Sequence, residues 1–162
     1  LESDPAAMRF ALRVPEGLRV RDGDASVFLG HAEASGFAID GRWTVRRLEG
    51  RRPTDAALGP ITGTDLGLFA LSVADAADMR RVQSAIIARR AAGHDGEGTL
   101  SVAMTGCRAG PLPQGPILAS AYLSTGPGRR FVPLFVDLDL TETFGDEPGS
   151  LSEAPPCGEA PG

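Results

Sequence analysis

The sequence of 162 residues contains no lysine and no asparagine, so all sixteen of its basic side chains are arginines. Because lysine and asparagine codons are AT-rich, their joint absence indicates the codon bias of a GC-rich genome rather than a special use of arginine. The 21 acidic residues outnumber the bases and give a net charge of −5. A chain with this balance has no general attraction to nucleic acid or to an anionic membrane, so we expect no nucleic-acid partner.

Long apolar runs are missing too. No segment approaches the roughly eighteen apolar residues of a membrane-spanning helix, so we expect a soluble chain that reaches a membrane only through an anchor outside this sequence. With one tryptophan and one tyrosine, a sugar-stacking platform is not expected. A phosphate-binding glycine loop, a nucleophile elbow and a zinc-ligand spacing are absent as well. We therefore predict no cofactor and no metal.

Cysteine is scarce, and the two that occur, Cys107 and Cys157, are too few for a disulfide scaffold. The pair fits a single disulfide bond, which implies an oxidising compartment. The chain also begins "LESDPAAM" without an initiator methionine, as a mature secreted chain would. Both features predict a periplasmic or secreted location. The alternative is a cytoplasmic protein with two unrelated thiols.

Alternation of apolar and polar residues with a period of two predicts β-strands over much of the chain. Residues 8–14 and 99–107 show it clearly, whereas residues 66–73 are apolar on both parities, as in a central strand covered on both faces. Between two strand-like segments, Asp40-Gly41 predicts a hairpin whose three-residue loop would set Phe37 opposite Trp43. An aromatic pair across two strands would stabilise that register.

One segment, about residues 75–92, carries the signals of an α-helix. Asp75 is a natural N-cap, Met79 and Ile86 fall on one apolar stripe, and Gly93 is placed to end the helix. Together the patterns predict an α+β fold, a largely antiparallel curled sheet of seven to nine short strands with one packing helix. The alternative is a partly open β-barrel with a helix.

The C-terminal residues 145–162 differ in composition from the rest. They hold four acids and no base, and eight of the eighteen are glycine or proline, a composition typical of disorder. We therefore predict a single globular domain over residues 1–144, followed by an acidic tail. A Cys107–Cys157 disulfide would tether that tail to the domain.

The segment "DLDLT", residues 137–141, is similar to the D-x-D-x-T motif of haloacid-dehalogenase-like phosphotransferases. That resemblance would make Asp137 a nucleophile and Asp139 an acid–base group beside Mg²⁺. The family's motif, however, ends a strand buried on both faces near the start of its domain. Here the two aspartates alternate with apolar residues, Pro133 marks an edge or a bulge, and about twenty residues follow the motif. We therefore interpret both aspartates as solvent-facing strand residues.

These observations lead to two functional expectations of different classes. The first is a non-enzymatic extracytoplasmic binding or assembly module of a bacterial envelope protein, with a protein as partner. Its candidate interaction surface consists of Trp43, Arg46, Arg47 and Tyr122. The alternative is a hydrolase that uses Asp137 and Asp139 with a metal, or Cys107 with a histidine.

Overall fold

The computed structural model describes residues 2–34, 36–51, 53, 55–59, 63–141 and 154–158, with the backbone alone for 36–38. These residues contain nine β-strands and one α-helix. In chain order the strands are β1 Arg9–Pro15, β2 Leu18–Arg19, β3 Ala25–Glu33, β4 Gly36–Arg47, β5 Thr64–Ala70, β6 Glu97–Met104, β7 Cys107–Arg108, β8 Leu118–Ser124 and β9 Val132–Asp139. Helix α1, Val73–Ala91, lies between β5 and β6, and two single-turn 3₁₀ helices span Pro5–Ala7 and Ala56–Leu58.

Seven of these strands form one antiparallel sheet in the order β6-β3-β4-β5-β1-β8-β9, and β2 pairs with β7 beside it. The sheet curls until it is nearly barrel-shaped. In the described part of the chain β6 and β9 are its two edges. The predicted α+β class with one helix is confirmed, and the partly open barrel describes the same curled sheet.

The central strand β1 separates two apolar layers. Phe10, Leu12 and Val14 point into the main core, which helix α1 covers, whereas Ala11 points to the other face beside Tyr122. Burying a large apolar side chain contributes about 1.5–3 kcal/mol, so the alternating residues of β1 fix which face of the sheet receives the helix.

Helix α1 begins earlier than the sequence predicts. Its N-cap is Ser72, whose Oγ accepts from the Asp75 amide at 3.1 Å and donates to the Asp75 carboxylate at 2.6 Å. Asp75 therefore occupies the third helical position, where both its amide and its carboxylate contact the N-cap hydroxyl, and its prediction as N-cap is wrong. The C-terminal end is as predicted, because Gly93 follows the C-cap with a φ of 84°. The helix buries Met79 and Ile86 against the sheet.

The predicted hairpin at Asp40-Gly41 is wrong. Strand β4 runs straight through these two residues, where Asp40 pairs with Gly30 and Gly41 pairs with Leu29 of β3. The chain instead reverses before Gly36, and Phe37 has Ala32 as its partner rather than Trp43.

Gly41 has a packing role that its sequence neighbourhood does not reveal. A Cβ at this position would overlap the indole ring of Trp43, two residues along the same face of β4. Gly67 in β5 is covered by Phe69 in the same way, with its hypothetical Cβ 2.6 Å from the ring. A glycine shielded by a neighbouring aromatic ring recovers the packing that it lacks itself. Asp40-Gly41 therefore belongs to a strand that makes room for Trp43.

The predicted disulfide between Cys107 and Cys157 is present. Strand β7 carries Cys107, which is fully buried. The returning C-terminal segment runs beside it, since Arg108 donates to the Pro155 carbonyl at 2.7 Å and accepts from the Cys157 amide at 2.9 Å. Ala154 joins the main core. The described residues 154–158 are thus held by a covalent bond, two hydrogen bonds and one small apolar contact.

Candidate functional site in the groove between α1 and β6

A groove of about 300 Å³ lies between helix α1 and the edge strand β6. We call it the α1–β6 groove. Four apolar side chains from four different segments line one part of it: Met8, Leu29, Met79 and Leu100. The remaining lining residues are Gln83, Arg90, Gly98 and Thr99. The groove therefore combines an apolar floor with a polar and cationic end.

Helix periodicity places its share of the lining. Met79, Gln83 and Arg90 are four and seven residues apart, so they lie on one stripe of α1. The first two are buried and Arg90 is exposed, so the stripe rises from the core to solvent over about 16 Å of helix. Gln83 is anchored, since its amide nitrogen donates to the Ser3 carbonyl at 3.2 Å.

Strand β6 supplies the opposite wall. Thr99, Ser101 and Ala103 are exposed on the face of β6 that points away from the core, whereas Leu100 is partly buried against the main core. The inner edge of β6 pairs with β3 over its full length. Among the described residues no segment pairs with the outer edge. Its outward N–H and C=O groups therefore form a template for one more strand.

Arg90 defines the cationic end of the groove. Its guanidinium crosses Gly98, because a Cβ added there would lie 3.0 Å from Arg90 Nη2. The neighbouring Arg89 donates two hydrogen bonds to Glu33, one of them at 2.9 Å. Arg90 itself forms no ion pair within the described ranges. Its exposed guanidinium thus places a positive charge at the rim of an apolar groove.

The Glu33–Arg89 pair ties strand β3 to the end of α1 beside two histidines. The hydrogen bonds donated by Arg89 lower the pKa of Glu33 below its ordinary value, and the charge of the same guanidinium acts in the same direction. His94 Nδ1 lies 4.0 Å from the Glu33 carboxylate and His31 Nε2 lies 3.8 Å from it. His31 is fully buried, and neither ring nitrogen has a hydrogen-bond partner among the described atoms.

We expect this pair to make stability depend on acid pH. A carboxylate with a lowered folded-state pKa stabilises the fold above its unfolded pKa of about 4.3, and the contribution is lost as pH falls through the folded value. The melting temperature of Glu33→Gln should therefore lie below that of the wild type at pH 7, and the difference should shrink as the pH falls below the unfolded pKa of about 4.3. Melting curves at pH 7, 5, 4 and 3 check this expectation.

Glu16→Gln is the matched control, because Glu16 is exposed and forms no ion pair with a described residue. Asp22 and Asp55 also have lowered pKa values, caused first by backbone N–H groups that donate to them. The wild type will consequently lose stability in acid for several reasons. A pH-independent difference between wild type and Glu33→Gln would contradict the assignment to the Glu33–Arg89 pair.

The predicted interaction surface is not assembled. Trp43 and Tyr122 are 4% and 3% exposed, in the main core and in the opposite apolar layer respectively, so their prediction as surface aromatics is wrong. The Trp43 indole N–H donates to Asp78 of α1 at 2.7 Å, so the polar atom of the buried ring has a hydrogen-bond partner.

The two arginines of that predicted surface form a charged network at the other end of β4. Arg47 donates to the Asp65 carboxylate and to the Val20 carbonyl, and its guanidinium lies 5.8 Å from the Phe69 ring centre. Arg46 is exposed and pairs with Asp22 at 3.0 Å. Because the Arg47 guanidinium binds groups within the protein, we interpret Arg47 as a structural residue at the end of the sheet.

Asp137 is less independent than the sequence predicts. Its carboxylate accepts from Arg13 at 2.8 Å and lies 3.3 Å from the Ser120 hydroxyl, which also accepts from the Asp137 amide. The backbone of Asp137 has a φ of 50°, a left-handed conformation that aspartate tolerates better than most residues. The side chain is 58% exposed, as expected, but it pairs with a largely buried arginine. The prediction of a residue that only faces solvent is therefore corrected.

The alternative hydrolytic groups are separated. Asp139 accepts two hydrogen bonds from Thr141, and Cys107, as half of a disulfide, carries no thiol. Within the described ranges no three histidine, cysteine or acidic side chains gather as a metal site would require.

Compared with models of protein families, with curated proteins and with solved structures, the chain has no match. None of the helices in the described residues has the length and apolar character to span a membrane. The geometry of the chain itself is therefore the basis for assigning a function.

Sequence patterns place α1 and β6 correctly, but the groove depends on β6 pairing with β3 and on the path of α1, which local patterns do not encode.

Proposed function

We propose that this protein is a non-enzymatic binding module of a bacterial envelope protein, located outside the cytoplasm, and that it contacts a partner protein through the α1–β6 groove. One observation carries the proposal: an apolar groove lies directly beside a strand edge that no described segment occupies. Open edges are a recurrent site for strand addition, and a groove beside the edge adds side-chain pockets to the backbone contacts.

The disulfide supports the extracytoplasmic part of this proposal. Stable structural disulfides form and persist in oxidising compartments such as the bacterial periplasm. Here the bond joins a fully buried Cys107 to a tail segment with little apolar surface, so the described tail depends on it.

Selection from a random peptide display library tests the site. Peptides enriched on the wild type should lose binding to Gly98→Val, in which the new side chain meets Arg90 and narrows the groove. Valine is compatible with a strand, and Gly98 has no positive φ that would exclude it. The matched control is Ala103→Val, the same kind of change on the outward side of the same strand.

The expected result is binding to the wild type and to Ala103→Val, with loss in Gly98→Val. Melting curves of both variants should stay close to that of the wild type, so that loss of binding reports the groove rather than unfolding. A selection without enriched peptides, or peptides that bind all three proteins equally, would overturn the proposed function.

A further inference from the structure

The shape of the α1–β6 groove and the charge at its rim define the chemistry of the partner. We infer that the groove, as the binding site proposed above, takes an extended acidic segment of a partner protein, which adds to β6 as an antiparallel strand. Such a segment would place an apolar side chain on the floor of the groove and a carboxylate on Arg90.

The backbone part of this inference follows from the edge. All described pairings within the seven-stranded sheet are antiparallel, and antiparallel pairing is slightly more stable per residue than parallel pairing. An added strand would continue that pattern and satisfy the outward N–H and C=O groups of β6. Arg90 lies along α1 within reach of the same edge, since it crosses Gly98.

The side-chain part follows from the spacing of the walls. Leu100 lies at the apolar part of the groove and Gly98 lies under Arg90. These residues are two apart on one strand, so they face the same side. Residues of an added antiparallel strand that meet them are also two apart, and the residue facing Leu100 comes first. The expected recognition pattern is therefore apolar–x–acidic.

Charge decides which group Arg90 binds. A guanidinium fork pairs with a carboxylate through two parallel hydrogen bonds, and Arg90 has no acidic partner among the described residues. Free C-terminal carboxylates are captured mainly by backbone N–H nests, whereas here the cation is a side chain over a strand. The geometry therefore fits an Asp or Glu side chain within a longer segment.

Fluorescence anisotropy with labelled peptides of about ten residues tests this inference. Four probes share a Ser/Thr/Val background and carry Leu-x-Asp, Leu-x-Asn, Ser-x-Asp or the reversed Asp-x-Leu at the centre. Leu-x-Asp should bind best. Its change to Leu-x-Asn should weaken binding about fivefold, because it removes an ion pair that is only partly shielded from solvent. Ser-x-Asp should also bind more weakly, because it leaves the apolar floor uncovered.

Variants locate the contact. Arg90→Gln should weaken Leu-x-Asp by the same factor and remove the difference between Leu-x-Asp and Leu-x-Asn, which is the coupling expected of a direct pair. Arg129→Gln, an equal change of charge in the exposed turn before β9, should leave both affinities unchanged. Hydrogen exchange should show new protection of alternate β6 amides when Leu-x-Asp is bound.

The outcomes separate this inference from the proposed function. One outcome is that Gly98→Val abolishes the binding of the library peptides while Leu-x-Asp and Leu-x-Asn bind with equal affinity. That outcome would overturn the acidic partner but would still support the groove as the binding site. Preference for the reversed Asp-x-Leu, or no added protection in β6, would overturn the antiparallel strand. Failure of every probe while the library yields groove-dependent peptides would also overturn this inference, and failure of both experiments would overturn both proposals.

Discussion

Removal of the Cys107–Cys157 disulfide should lower the free energy of unfolding by about 4 kcal/mol. The bond joins residues fifty positions apart, and closing a loop of that length restricts the unfolded chain by about this amount on the chain-entropy model. Single domains are stable by only about 5–15 kcal/mol, so the loss would be a large share of the total. The double variant Cys107→Ala/Cys157→Ala in urea unfolding measures it.

Reductant provides the control for that measurement. It should lower the unfolding midpoint of the wild type toward that of the double variant and leave the double variant itself unchanged. Intact mass should rise by about 2 Da when the native protein is reduced, since each sulfur gains one hydrogen. Two thiols that alkylate in the native, unreduced protein would contradict the bond and remove the main support for an extracytoplasmic location.

The second large effect is expected at Gly17. Its φ is 96°, and a Cβ there would overlap the carbonyl oxygen of Pro111. The Gly17 carbonyl also accepts from the amides of Ala109 and Gly110, so the two loops are held together and neither can easily move aside. Gly17→Ala should therefore cost about 3 kcal/mol or more, which combines left-handed strain with a backbone clash.

Gly23→Ala separates the two causes. Gly23 has a similar φ of 87°, but nothing lies within 4 Å of its hypothetical Cβ. This variant should cost only the left-handed strain, about 1–2 kcal/mol. Urea unfolding of both variants gives the comparison. Equal losses would show that the loop carrying Pro111 yields freely, contrary to the packing described above.

The elements that sequence patterns predicted well are those with strong local periodicity. The alternation in β1 and the apolar stripe of α1 reflect burial of one face, which a single segment encodes by itself. The single pair of cysteines likewise left one intramolecular bond to consider. The α+β class, the strand number and the disulfide were accessible for these reasons.

The sequence predictions that were wrong share a different physical origin. Each concerns a residue whose role is set by contacts that its local sequence pattern does not show. Gly41 leaves space for the indole ring of Trp43, whereas the Asp-Gly sequence alone is typical of a turn. Asp137 meets Arg13 across 124 positions of sequence, so its ion pair has no local signal. Trp43 and Tyr122 are amphipathic residues common at interfaces, and here they lie inside because the helix and the second apolar layer cover them.

The two described edges of the sheet are unlike each other. Strand β6 is regular, whereas β9 contains Pro133, which has no N–H to donate, and the left-handed Asp137, and both features discourage pairing with a further strand. Within the described residues, β6 is therefore the one edge of the seven-stranded sheet that favours strand addition. Growth by repeated edge-to-edge stacking needs an acceptor at both ends, so we expect the partner strand proposed for β6 to bind with a fixed stoichiometry instead of starting a fibre.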